Sequence, residues 1–178
     1  MKKWLILLLI MTMIFMMGAC SSKEKKSTFG DVKVTGENKS YLEEYDKALQ
    51  GYINEMTNIL KTFNNALDGI YTQKYSRSQF TTALTASIEK SNKLVTEVEA
   101  YDVKPELFEA HQNLIVLVNR SHQLLLDAID MANQEDSEIE KDVLRNTYLE
   151  IKKEQANIAN QWKILREELQ AAEEGKKK

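Results

Sequence analysis

The spacing of apolar residues constrains this chain more than any other feature of its sequence. From Ser40 onward the chain contains a single proline, Pro105, and its apolar residues recur at intervals of three and four. In the first segment this spacing is shown by Tyr41, Tyr45, Ala48, Tyr52, Met56, Ile59, Phe63, Ala66 and Ile70. Such a stripe lies on one face of an amphipathic helix and packs against a core. The pattern therefore predicts an all-α domain over residues 40–173.

The same spacing divides this domain into four helices. They are predicted from Ser40 to Ile70, from about Arg77 to Tyr101, from Pro105 to Ala132, and from just after Ser137 to Leu169. Three of the starts carry a capping box, in which a serine and an acid or amide three residues later bond each other's backbone N–H groups. These pairs are Ser40 with Glu43, Ser76 with Gln79, and Ser137 with Glu140. The third start is indicated by Pro105, which lacks the N–H that a first helical turn leaves unpaired.

Short connections between long amphipathic helices place neighbouring helices antiparallel, so we predict an antiparallel up-down-up-down four-helix bundle. A three-helix bundle with one long outer helix is the alternative. The outer two helices are about ten residues longer than the inner two, or roughly 15 Å. We expect this surplus to form a two-helix extension in which Tyr41 and Tyr45 meet Trp162. These aromatics pack either as cross-helix core or as a belt at a membrane interface.

Residues 1–19 have the layout of a secretory signal peptide. Lys2 and Lys3 form a short positive region, an apolar run extends from Trp4 to Met17, and two small residues follow it. A helix that spans a membrane needs roughly 20 apolar residues, and this run ends sooner. We therefore expect residues 1–19 to be a cleaved signal peptide.

The segment Met17-Gly18-Ala19-Cys20 resembles the lipobox of bacterial lipoproteins. The resemblance implies that a diacylglyceryl group is attached to the Cys20 sulfur and that signal peptidase II cleaves between Ala19 and Cys20. In its layout the chain is similar to the small helical lipoproteins of Gram-positive bacteria, which implies a location on the extracytoplasmic face of the cell membrane. Anchoring by two or more acyl chains is sufficient, since each buried CH₂ contributes about 0.8 kcal/mol.

Two polar segments flank the predicted domain. Residues 20–39 contain Gly30 and Gly36 and lack a sustained helical or strand period, which is typical of a flexible tether, and residues 174–178 form a basic tail.

The charge of the chain bears on its partners. With 24 basic and 27 acidic residues, the chain lacks the excess of Lys and Arg that nucleic-acid phosphates attract. We therefore expect contact with the membrane through the lipid anchor and with an envelope protein, and no binding of nucleic acid. Cys20 is the single cysteine, which excludes a disulfide within the chain.

Four polar residues fall in or near the apolar seam: His111, Ser121, His122 and Gln155. The two histidines are eleven positions apart, on one face of the third helix but about 16 Å apart along its axis, so one metal ion cannot bind both. Each histidine is most simply a seam residue with a hydrogen bond. The four residues could also line a small polar cavity.

No sequence motif indicates catalysis. The chain contains no Gly-rich phosphate loop and no HExxH, CxxC or GxSxG pattern. We therefore predict that the protein is not an enzyme and uses no cofactor and no metal. Two functions stay open at this point. One is an anchored bundle for protein–protein interaction or a structural role in the cell envelope, and the other is a small-ligand or metal-binding lipoprotein with a polar cavity in the bundle.

Overall fold

Four α-helices account for most of the described chain. The computed structural model describes residues 32–134 and 136–174, with side chains as far as residue 172. The helices are α1 Lys39–Tyr71, α2 Arg77–Glu99, α3 Phe108–Asn133 and α4 Lys141–Glu174. The predicted all-α fold class is thus confirmed.

Several predicted features lie outside the described residues. They are the signal peptide of residues 1–19 with Met17, Gly18 and Ala19 of the lipobox, the lipid attachment residue Cys20, the first part of the tether, and residues 175–178 of the basic tail. Within the described parts of the chain, none of the helices is both long enough and apolar enough to cross a membrane.

The helices form the predicted up-down-up-down bundle. Each helix contacts the next one in the chain, α4 returns to contact α1, and α1 approaches α3 across the diagonal. The directions follow from bonds at one end of the bundle. The Tyr71 hydroxyl at the end of α1 donates to Asp142 at the start of α4 (2.5 Å), and Arg77 at the start of α2 donates to the Gln134 carbonyl just after α3 (2.9 Å). The three-helix alternative is therefore wrong.

The predicted difference in helix length is confirmed, because α1 and α4 have 33 and 34 residues against 23 and 26 in α2 and α3. The expected contact of Tyr45 with Trp162 is present, with ring centroids 5.2 Å apart, but the start of α1 at Tyr41 does not belong to a two-helix extension. Residues 100–107 fold across the first turns of α1, where the Lys104 backbone N–H donates to the Tyr41 hydroxyl at 2.7 Å. The Lys104 ammonium also lies 4.5 Å from the centre of the Tyr41 ring. The connection between α2 and α3 thus covers the start of α1.

The capping box at the start of α2 forms as predicted. The Ser76 hydroxyl accepts from the Gln79 N–H at 3.3 Å, and the Ser76 N–H donates to the Gln79 side-chain oxygen at 2.9 Å. The box predicted at Ser40 does not form, because α1 begins one residue earlier, at Lys39. Asn38 lies just before that start, and its side-chain oxygen accepts from the Thr35 backbone N–H at 2.8 Å.

The starts of α3 and α4 lie later than predicted. Pro105 opens a 3-10 turn, Pro105–Leu107, and the α-helix begins only at Phe108. The box predicted at Ser137 is absent, because its hydroxyl donates to Gln134 and the helix begins at Lys141. At both positions the chain is held by contacts within its connection and does not enter the helix at once.

A Schellman motif ends α1 and turns the chain toward α2. The Lys74 N–H donates to the Gly69 carbonyl (2.9 Å) and the Gln73 N–H to the Ile70 carbonyl (3.1 Å), with Gln73 in the left-handed region at φ 56°. Gly69 is required for the close packing of Tyr75, since a Cβ at Gly69 would lie 2.6 Å from the Tyr75 ring. The tight reversal places α2 antiparallel to α1.

The core runs the length of the bundle. Its largest buried side chains include Leu42, Tyr45, Met56, Phe63, Phe80, Leu84, Leu107, Leu114 and Trp162. Val32 and Val34 are partly buried against this core, so the segment before α1 already lies on the bundle at Val32. The Phe63 ring of α1 stacks on Tyr148 of α4, with centroids 5.9 Å apart.

Candidate functional site

His111 is the centre of a hydrogen-bonded site in the bundle interior. It lies near the start of α3, and only 3% of its surface is exposed. Its Nδ1 lies 3.0 Å from the Tyr45 hydroxyl of α1, and its Nε2 lies 2.8 Å from the Val98 carbonyl oxygen at the end of α2. One imidazole therefore joins three helices.

The partners of His111 determine its tautomer. A carbonyl oxygen can only accept, so Nε2 carries the hydrogen, and Nδ1 of the neutral ring accepts from the Tyr45 O–H. Burial lowers the pKa of His111, although the bond to Val98 acts in the opposite direction. Burial also raises the pKa of Tyr45, which keeps its hydroxyl protonated and able to donate. The neutral pair is thus the native state near neutral pH.

Aromatic rings surround this hydrogen-bonded pair. The Tyr45 ring makes edge contacts with Tyr101, His111 and Trp162, at centroid distances of 5.5, 5.7 and 5.2 Å. Such edge-to-face contacts add to the stabilisation that comes from buried area alone. Because Tyr45 and Trp162 are fully buried, they pack as cross-helix core and do not form an exposed belt. We call Tyr45, Tyr101, His111 and Trp162 the aromatic cluster.

Asp46 links the aromatic cluster to α4. The indole N–H of Trp162 donates to the Asp46 carboxylate. The same carboxylate accepts from Arg166 Nε at 2.9 Å and forms an ion pair with Arg166, whose Nη2 lies 2.8 Å away. Bonds from charged donors to a carboxylate are among the stronger ones in proteins. Trp162 is therefore oriented by a bond as well as by packing.

His122 forms a separate pair with Ser91. Its Nδ1 lies 3.1 Å from the Ser91 hydroxyl oxygen on α2, and the His122 ring is half-buried. A serine beside a histidine is one component of nucleophilic catalysis. Here, however, the Ser91 side chain is buried between α2 and α3, where a substrate cannot reach its hydroxyl. The pair therefore acts as a bond between the two helices.

Ser121 and Gln155 are also bonded within the bundle. The Ser121 hydroxyl donates to the Leu117 carbonyl one turn earlier at 3.0 Å. The Gln155 amide of α4 donates to the Thr57 hydroxyl at 2.8 Å and to the Ile53 carbonyl at 3.2 Å, both on α1. Each of these polar groups is thus satisfied by a neighbouring helix or by its own.

The structure does not bring the four predicted cavity residues together. His111, Ser121, His122 and Gln155 each bond to a different partner. A surface cleft of about 510 Å³ lies elsewhere, between helix connections, and is lined in part by Lys74, Tyr75, Arg77, Glu138 and Lys141. In residues 32–134 and 136–174 no group of three His, Cys, Asp or Glu side chains could hold a metal ion. The geometry therefore gives no support to a shared polar cavity.

Of the contacts around the aromatic cluster, the one between Tyr45 and Trp162 was expected from the sequence, whereas the bonds of His111 to Tyr45 and of Trp162 to Asp46 were not. Tyr45 and His111 are 66 positions apart, and Asp46 and Trp162 are 116 apart. One signal could have revealed them. Tyr45 is near the start of the first helix, His111 near the start of the third, and Trp162 near the end of the fourth, and an antiparallel bundle places these at one end.

The fold and these contacts define the class of protein, an all-α up-down-up-down four-helix bundle with a hydrogen-bonded aromatic cluster at one end. No protein-family model matches the chain, and no curated protein or solved structure is significantly similar to it. Its function therefore has to be inferred from its own residues.

Proposed function

We propose that this protein is a lipoprotein of the cell membrane, anchored on the extracytoplasmic face through Cys20. In this proposal its helical bundle serves protein–protein interaction or a structural role in the cell envelope. The observation that carries the proposal is Met17-Gly18-Ala19-Cys20 at the end of the apolar run that begins at Trp4. A cysteine at this position accepts lipid in the lipoproteins that the segment resembles.

The anchor would hold the bundle close to the membrane. Val32 and Val34 pack against the core, so the folded part of the chain begins no later than Val32. Even fully extended, the chain from Cys20 to Val32 spans at most about 40 Å. The part of the bundle on which Val32 packs would lie within that distance of the bilayer.

Exposed apolar side chains support an interaction role for α3 and α4. Five large ones, each between 48% and 61% exposed, lie on these two helices: Phe108, Val116, Val143, Leu149 and Ile164. Helix α2, by contrast, exposes no large apolar side chain within the described residues. A single exposed apolar residue is ordinary, but their concentration on two adjacent helices favours that side for contact with a partner.

The anchor is tested by the replacement of Cys20 with Ala. We expect the variant to lose incorporation of a labelled fatty acid and either to leave the membrane fraction or to accumulate as a precursor that retains residues 1–19. The reason is that the thioether to the diacylglyceryl group needs the cysteine sulfur. The measurements are fractionation of cells and electrophoretic mobility. The control is Ser22→Ala, which keeps Cys20 and should behave as the parent does. Parent-like labelling and fractionation of the Cys20→Ala protein would contradict the anchor.

The interaction role is tested by site-specific photo-crosslinking in intact cells. A photo-reactive residue is placed at Val116, Leu149 or Ile164, and as a control at Lys93 of α2, whose side chain is 76% exposed. We expect one discrete adduct from the positions on α3 and α4, a much weaker one from Lys93, and loss of the adduct when Cys20→Ala is added. Absence of an adduct at all three apolar positions, or equal yield from Lys93, would count against a partner on this side.

A further inference from the structure

We propose that His111 is an acid-sensitive latch for the end of the bundle at which α1 begins, and that binding of a second proton by its ring releases Tyr45 and Trp162 from their packed positions. The proposal stands on the bonding of a fully buried imidazole to two different helices. It does not depend on the lipid anchor.

The latch requires the neutral ring. With its hydrogen on Nε2, His111 donates to the Val98 carbonyl, which is one of the last carbonyls of α2. With its lone pair on Nδ1, it accepts the Tyr45 O–H from α1. Both ring nitrogens are thus used: the Val98 carbonyl, which can only accept, fixes the hydrogen on Nε2, and the neutral ring then has only an acceptor at Nδ1.

A second proton would change the role of one nitrogen. Nδ1 would become a donor that points at the Tyr45 oxygen, so Tyr45 would have to turn its own O–H away from His111. The Tyr45 ring itself is packed against the rings of Tyr101 and Trp162. A buried O–H left without an acceptor costs free energy, and so does a positive charge held among rings. The charged ring therefore favours displacement of Tyr45.

The groups that face His111 do not compensate for its charge. Helix α1 presents the Tyr45 hydroxyl, the connection after α2 presents the ring of Tyr101, and α4 reaches the cluster through Trp162, which Tyr45 contacts. Burial and then the negative charge of Glu44 raise the pKa of Tyr101, so Tyr101 stays neutral. The Asp46 carboxylate, which accepts from the Trp162 indole N–H, is paired with Arg166. The Val98 carbonyl of α2 favours the charged ring, but burial has the larger effect, and the pKa of His111 is lowered.

The direction of the pH effect follows from linkage. Because burial places the native pKa of His111 below the value of about 6.5 for an unfolded chain, the unfolded or opened form binds the proton first as the pH falls. The stabilisation from the neutral ring is therefore fully present above about pH 6.5 and is lost as the pH falls from there through the native pKa. Acid favours the open latch.

The emission of Trp162 reports the state of the latch. In the full-length chain purified in detergent, Trp4→Phe leaves Trp162 as the single tryptophan. On titration from about pH 7.5 to about pH 4.5, a range that includes the ordinary histidine pKa, we expect a red shift of the Trp162 emission with a midpoint below about pH 6.5. Far-UV circular dichroism should show that the helices persist through this transition, because only one end of the bundle opens.

The two histidines provide a matched pair of variants. His111→Gln keeps a neutral group that can donate and accept, and should abolish the emission transition, whereas His122→Gln should leave it unchanged. Should His111→Gln fail to fold, side-chain ¹⁵N spectra of the parent replace it. They should show His111 with its hydrogen on Nε2 at neutral pH, and titration of that ring should coincide with the emission change. The proposal is overturned by a transition that persists in His111→Gln, that follows His122, or that appears only when helicity is lost.

Discussion

Replacement of Trp162 with Ala should lower the free energy of unfolding by about 3–5 kcal/mol, the usual cost of removing a large buried aromatic side chain. Trp162 is 2% exposed, and its ring lies 5.2 Å from that of Tyr45. Its removal would leave a cavity between α1 and α4 and take one donor from Asp46, which Arg166 would still pair. The measurement is urea denaturation followed by far-UV circular dichroism, since the variant lacks the fluorescent reporter.

The matched control for this variant is Ile164→Ala on the same helix. Ile164 lies two residues further along α4 but is 61% exposed, so its truncation should change stability by no more than about 0.5 kcal/mol. The contrast tests whether the last turns of α4 pack against α1. Equal and small effects of the two substitutions would mean that this end of α4 is not held in the bundle.

Replacement of Arg77 with Ala should lower the free energy of unfolding by about 2–3 kcal/mol, because one guanidinium donates to carbonyls at the end of α3 and in the connection that follows it. Arg77 Nη1 donates to the carbonyls of Met131 (3.3 Å) and Gln134 (2.9 Å), and Nη2 donates to the carbonyl of Ser137. These carbonyls belong to the last turn of α3 and to the segment before α4. Without Arg77 they would lose a charged donor and the connection would lose its fixed geometry.

Two further substitutions show whether the planar fork of Arg77 is what matters. Arg77→Lys should recover less than half of the loss, because an ammonium on a flexible stem does not reach several carbonyls at fixed angles. Arg120→Ala removes an arginine whose bonds go to Glu150 and Glu154 on the surface, and should cost at most about 1 kcal/mol. Chemical denaturation of the three variants provides the measurement. A fully stable Arg77→Lys protein would show that charge alone is sufficient.

Most of the fold could be predicted from the sequence, because helix formation and the direction of apolar side chains depend on neighbouring residues. Phe63 and Met56 were placed on the core-facing stripe by spacing alone, and both are buried. The capping box at Ser76 also depends only on a residue three positions away, Gln79. Such local patterns are read correctly when no distant group competes for the same atoms.

Two of the wrong predictions have the same physical cause, which is a hydrogen bond to a group that the helix pattern does not reveal. Ser137 has the spacing of a capping residue, yet its carbonyl accepts from Arg77 and its hydroxyl turns back to Gln134. Tyr41 was expected in a two-helix extension, yet its hydroxyl accepts from the Lys104 N–H in the connection after α2. Neither partner could be identified from spacing.

For the candidate site, the sequence indicated the residues but not their relations. His111 and His122 were both placed on the seam of the third helix, and the structure gives them different environments, a buried ring bonded at both nitrogens and a half-buried ring bonded to Ser91. Gln155, which was expected beside them, donates to α1 instead. Polar residues on one seam need not share a partner.

The sequence by itself determined the all-α class, the number and approximate length of the helices, and the side of each helix that packs inward, because these properties follow from periodicity along a single chain. It also supplies the resemblance on which the proposed lipid anchor at Cys20 rests. Only the tertiary structure decided that Tyr45 and Val98 meet at His111, because groups far apart in the chain come within bonding distance only when the helices are packed.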